Sequence, residues 1–152
     1  MSWYELWLFL HIAGTIVWVG GASVVQVFGI LTQRAADPSQ SAAFARNVGW
    51  TATRVFMPSS AVVLLTGVLL TEDGGWNWSE PFVILGLVGW AAVAATGFGY
   101  VGPSMKEVGR RMAAEGPSPA LGARVRQLVL VARVLVLVLF AIVFLMVVKV
   151  GT

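Results

Sequence analysis

Four apolar runs separated by short polar connections set the plan of this chain. They extend roughly over residues 3–31, 55–71, 82–101 and 128–148. From Val134 to Val148 the fourth run contains no polar residue. A membrane-spanning helix needs about 20 mostly apolar residues, and four runs of this kind qualify. Transmembrane strands instead alternate polar and apolar residues over about 10 positions, and these runs do not alternate. The pattern predicts an all-α membrane protein: a four-transmembrane-helix antiparallel up-down bundle, with residues 1–152 forming one domain.

Polar residues at the ends of the runs predict helices longer than the spans. Asp37-Pro38-Ser39-Gln40 supplies an N-cap, a proline at the first helical position and a glutamine three residues after the cap. Helix 2 is therefore expected to start near Pro38 and to enter the membrane later. Ser79-Glu80-Pro81 is expected to start helix 3 in the same way, with Gly116 as its stop. Ser118-Pro119 then opens helix 4. Pro58 and Pro103 fall inside helices and are expected to kink them, which membrane helices tolerate.

Charge gives the orientation. The first connection carries Arg34, Arg46 and Arg54 against Asp37. The third carries Lys106, Arg110, Arg111, Arg124 and Arg126 against Glu107 and Glu115. The second carries Glu72, Asp73 and Glu80 and no basic residue. Basic connections stay in the cytoplasm, so both termini and the acidic connection are expected outside. Trp3, Tyr4, Trp7, Trp76 and Trp78 then fall at the outer interface, where amphipathic rings sit well.

Composition agrees. The 152 residues are 58% hydrophobic and 11% charged, with mean hydropathy +0.84. Soluble domains carry about 25% charged residues, so most of this surface has to face a lipid bilayer. The net charge of +3 does not indicate nucleic acid, because the basic residues lie between apolar runs and form no separate patch. The chain has no cysteine, which excludes disulfides and thiol catalysis, and its single histidine cannot alone build a structural zinc site. Glu5, the missing basic leader region and the length of the first run argue against a cleavable signal peptide.

Few residues remain to carry chemistry. His11 lies roughly 12 Å deeper than Trp3 at ~1.5 Å per residue. It belongs to a stripe of Trp7, His11, Thr15, Trp18, Ala22 and Gln26 at helical spacing, while Phe9, Ile16 and Val24 fall on other faces. Thr15, Trp18 and Gln26 are thus expected in a polar interior. An ionisable residue within a span is a functional candidate; the plainer reading is a neutral histidine bonded across the bundle. Lys149 closes the fourth run with Met146 one turn deeper. A snorkelling lysine and a packing methionine are the plain readings there. In an up-down bundle, however, His11, Met146 and Lys149 reach similar depth, and no other part of the sequence brings candidate haem or metal ligands together.

Other polar residues suit packing. Arg126 and Arg133 share a face of helix 4 and read as interfacial anchors. Ser59, Ser60 and Thr66 suit interhelical hydrogen bonds or a pore lining. Ala91, Ala95 and Gly99 form a small-residue face for close helix approach, within the bundle or in a homo-oligomer. Gly20-Gly21 suits a similar approach in helix 1. No Asp or Glu lies deep in a span, so a carboxylate proton relay is not expected.

Leu10-His11-Ile12 with Val17-Trp18-Val19-Gly20-Gly21, and the ending Phe144-Leu145-Met146-Val147-Val148-Lys149, resemble a bacterial family of predicted integral membrane proteins, domain-of-unknown-function family 2269. The resemblance covers essentially the whole chain and implies a multi-pass protein of the bacterial inner membrane. More distantly, the first helix and the closing lysine resemble the haem-associated four-helix membrane protoporphyrinogen oxidases. That likeness implies His11 and Lys149 as a functional pair and haem b as a cofactor. Those oxidases continue into a segment containing Pro-Arg, where this chain reads Val25-Gln26-Val27-Phe28. The copper-resistance D membrane proteins share the histidine and Trp-x-Gly-Gly pattern more loosely and imply copper as an alternative. Three functions follow: a haem- or redox-associated protein using His11 with Met146 or Lys149, a small-solute or copper transport module, and a structural subunit that docks other helices.

Overall fold

A computed structural model describes residues 1–149, and these are nearly all helical. Four helices carry the fold: α1 (Trp3–Ala35), α2 (Pro38–Asp73), α3 (Pro81–Glu115) and α4 (Pro119–Val148). Each is long and apolar enough to cross a membrane. The 36 residues of α2 measure about 54 Å at ~1.5 Å per residue, well beyond the ~30 Å hydrocarbon layer.

Local chemistry sets the helix ends. At α1, Ser2 Oγ accepts from the Glu5 N–H at 3.2 Å and Glu5 Oε2 accepts from the Ser2 N–H at 2.7 Å. This reciprocal cap has a plain sequence signal, Ser-x-x-Glu, that the hydrophobic pattern overshadows. Ala36 turns left-handed at φ 52° and ends α1. Asp37 accepts from the Ser39 N–H at 2.9 Å to start α2, and Gln40 donates to Asp37 rather than reaching back to the cap backbone. α3 differs from expectation. Its cap is Glu80, without a side-chain bond, while Ser79 turns back to Asn77. Pro81 fixes this start alone, since the first helical position needs no N–H. Gly116, at φ 82°, ends α3, and Ser118 Oγ accepts from the Leu121 N–H at 3.2 Å to open α4.

The two internal prolines each follow a π turn, Ala52–Phe56 before Pro58 and Gly97–Val101 before Pro103. A proline offers no N–H and crowds the carbonyl four residues back; the extra residue of a π turn relieves both constraints. α1 has a third π turn at Ile16–Gly20. The turns of α1 and α2, and those of α2 and α3, pack against each other at mid-bundle.

This level divides the molecule. Toward the first and third connections, α2 and α3 lie along each other with α4 over them. Ala45, Met105, Val108, Met112, Leu121, Val125, Leu128 and Val129 are buried there. A Cβ on Gly49 would stand 3.1 Å from the Lys106 Cα, so the backbones nearly touch. Toward the termini, α1 lies along α2 and α3 along α4. The two pairs stand apart around a cavity.

Candidate ligand cavity

The cavity has a volume of about 510 Å³ and almost wholly apolar walls. α1 contributes His11, Thr15 and Trp18, α3 contributes Trp90, and Met146 and Lys149 come from α4 and its cap. The structure thus brings His11, Met146 and Lys149 onto the walls of one space.

His11 is half-buried and leans on α2, not on α4. Its Nδ1 lies 3.1 Å from Thr66 Oγ1. Thr66 is buried, and its hydroxyl lies 2.6 Å from the Val62 carbonyl and 3.3 Å from that of Val63. Gly67 makes room for the ring: a Cβ there would stand 3.3 Å from His11 Cε1. Thr15 donates back to the His11 carbonyl at 2.8 Å. The direct partner of His11 is Thr66 of α2, and His11 shares with Met146 and Lys149 only the walls of the cavity. The sequence carries a signal for this, since Thr66-Gly67 couples a hydroxyl to open space within an aliphatic run.

Met146 and Lys149 face this space from α4. The Met146 methyl is seated where Gly86 of α3 lacks a side chain. Lys149 Nζ lies 4.0 Å from the centre of the Trp76 ring, an arrangement in which the ring quadrupole attracts the cation. Trp76 meets Phe82 edge-on at 5.3 Å, and Trp78 donates to Glu72 at 2.7 Å. Both tryptophans line the cavity, so the α2–α3 connection forms part of its wall. Composition alone could not have placed Trp76 and Trp78 there.

Trp18 is buried and stacks on Phe98 at 6.2 Å. With Leu139 it borders both this cavity and a second one of about 80 Å³ at mid-bundle. Gln26 lines the smaller space and is buried, and among the described residues its Oε1 has no hydrogen-bond partner. Ser59 and Ser60 bond their own helix, and Trp90 donates across to the Ser60 carbonyl at 3.1 Å. Arg126 and Arg133 are exposed. So are Ala91, Ala95 and Gly99, and a Cβ on Gly99 would meet nothing within 4 Å. Among the described residues, nothing in the bundle covers that small-residue face. Gly20 is equally open, whereas Gly21 packs closely on Phe56.

Chemically, the described residues around the cavity present an imidazole, a thioether, an ammonium group and the hydroxyls of Tyr4, Thr15 and Thr71 among apolar and aromatic walls. Among the described residues no cluster of three His, Cys, Asp or Glu side chains forms a metal cage. No curated protein and no solved structure matches the chain. One family model does match, over residues 5–150, and the chain belongs to that family, described as "Predicted integral membrane protein (DUF2269)".

Proposed function

We propose that this protein holds a flat, apolar prosthetic group or ligand between its two helix pairs, with haem b as the first candidate. The cavity carries the reading: about 510 Å³, apolar, and shared by His11, Met146 and Lys149. Cofactor and small-molecule sites span roughly 300–1,000 Å³ with a few placed polar groups. Histidine and methionine are both haem ligands, and a lysine at the wall suits a carboxylate. Bound haem would supply one-electron chemistry. His11 and Met146 would hold it, Thr66 would orient the ring of His11, and Trp18, Trp90 and Leu139 would keep water out. In this reading the termini and the cavity face the outside of a bacterial inner membrane, because the basic connections lie at the opposite end.

The packed layer of Met105, Leu128 and Val129, each at most 2% exposed, favours binding over passage of a solute or of copper. The test is an absorbance spectrum of the purified protein, with and without added haem. A Soret band that follows the protein and disappears in His11→Ala is expected, with helical circular dichroism unchanged. A folded protein that neither carries nor takes up haem overturns the haem assignment.

A second reading, a helix-docking subunit or homo-oligomer, is favoured by the exposure of Ala91, Ala95 and Gly99. Small residues permit close helix approach in membranes. Ala95→Leu should then lower the mass of the detergent-solubilised particle; an unchanged mass removes this reading.

A further inference from the structure

We infer that Thr66 holds His11 in the tautomer protonated at Nδ1, so that the cavity receives ligands presenting an electron-pair acceptor. The inference rests on the ligand-cavity reading and names the ligand class. The Thr66 hydroxyl has one hydrogen, and the Val62 carbonyl at 2.6 Å takes it. Toward His11 the hydroxyl oxygen is therefore the acceptor, and the ring donates from Nδ1 across 3.1 Å. The Val63 carbonyl, 3.3 Å from the same hydroxyl, is an acceptor too and can only reinforce this direction. A neutral imidazole carries one ring proton, so Nε2 keeps its electron pair.

That pair is accessible. Among the described residues, the side-chain polar atom that is both sealed and unpartnered is Gln26 Oε1, not an atom of His11. His11 lines the cavity, while Nδ1 and Cε1 lie toward α2 beside Gly67. The Nε2 pair suits a metal centre in a flat macrocycle or the hydroxyl of a hydroquinone. A ligand whose polar groups are all carbonyl or ether oxygens finds no donor at this ring. Thr66 is thus a positioning residue: it acts on the ligand through His11.

His11 is the one histidine of the chain, so ¹⁵N-histidine labelling gives a single imidazole to read. The spectrum of the ligand-free protein should show a protonated, pyrrole-like Nδ1 and an unprotonated, pyridine-like Nε2. Thr66→Val should produce a mixture of tautomers and Thr66→Ser should restore one. The reverse assignment in the wild type overturns the inference whether or not haem binds, and an unchanged spectrum in Thr66→Val overturns the role of Thr66. Two matched pairs test the ligand class and separate its sources: haem against metal-free protoporphyrin, and a long-chain hydroquinone against its dimethyl ether. The first member of at least one pair should bind about tenfold tighter, the scale of one well-made polar contact, and lose that advantage in His11→Ala. Equal affinity within both pairs overturns the ligand class and leaves the cavity itself standing.

Discussion

Gly109 of α3 meets Arg46 of α2 backbone to backbone: a Cβ at Gly109 would stand 3.0 Å from the Arg46 nitrogen and 3.3 Å from its Cα. Backbone atoms cannot swing aside as a side chain can, so any larger residue here must separate the two helices. Overpacking of this kind costs about 1–3 kcal/mol. Gly109→Leu should lower the thermal unfolding temperature in detergent by that measure. Gly99→Leu, where a Cβ meets nothing within 4 Å, should stay within about 0.5 kcal/mol of the wild type, as surface changes do. Equal melting temperatures for the two variants would contradict the close packing of α2 on α3.

Trp18 bears on both cavities. It is 5% exposed, stacks on Phe98 and stands with Leu139 between the larger and the smaller space. Removing the indole merges those spaces and forfeits its contacts, which for a buried Trp→Ala change costs about 3–5 kcal/mol. Trp18→Phe should cost clearly less because a ring remains against Phe98. Reversible unfolding in mixed micelles measures both. A loss below ~1 kcal/mol for Trp18→Ala would mean that the indole does not form this wall.

The four helices were legible because lipid demands long apolar runs and pairs every backbone group within the helix. The start of α2 at Asp37 and the end of α3 at Gly116 were legible for the same local reasons that govern soluble helices. The cap of α3 is less legible within Ser79-Glu80-Pro81, because the Ser79 side chain bonds Asn77 and periodicity says nothing about such competition. His11 could be placed on an inward stripe, since depth and face follow from helical spacing. Its partner could not, since which helix lies against α1 depends on bundle order. The glycine gap at Gly67 and the seating of Met146 on Gly86 are tertiary facts. Single glycines in an apolar run do not announce which neighbour they admit.

The cap of α2 should respond to acid. The bonds from the Ser39 side chain and backbone, followed by those from Gln40, hold the Asp37 carboxyl below its ordinary value of 3.8. A carboxyl depressed in the folded state stabilises at pH values above its unfolded value, and the effect is lost as pH falls through the folded value. The loss therefore begins as pH falls through the ordinary carboxylate range and is completed only at lower pH. Backbone amide exchange at Ser39 should quicken further below, as the carboxylate protonates. Asp37→Asn keeps a cap acceptor without the titration, so its exchange should not depend on a carboxylate. Identical acid profiles for the two proteins would show that Asp37 is not the titrating cap.

The orientation in the membrane is decided by labelling two positions. Both basic connections lie at the end where α2 and α3 pack on each other, and the acidic connection lies at the end of the cavity. Lys and Arg near span ends are retained on the cytoplasmic side, so Asp73 is expected outside and Arg110 inside. The chain contains no cysteine, so a single introduced thiol gives an unambiguous signal. Asp73 is exposed, and the Arg110 side chain is 68% exposed, so a reagent in water can reach either site. Arg110 pairs with Glu107 at 2.6 Å, but an exposed pair of this kind contributes little to stability, and Arg110→Cys should fold. In intact cells a membrane-impermeant maleimide should label Asp73→Cys and spare Arg110→Cys. After permeabilisation it should label both. Labelling of Arg110→Cys but not Asp73→Cys in intact cells would invert the protein and place the cavity, with His11, Met146 and Lys149, in the cytoplasmic half of the membrane.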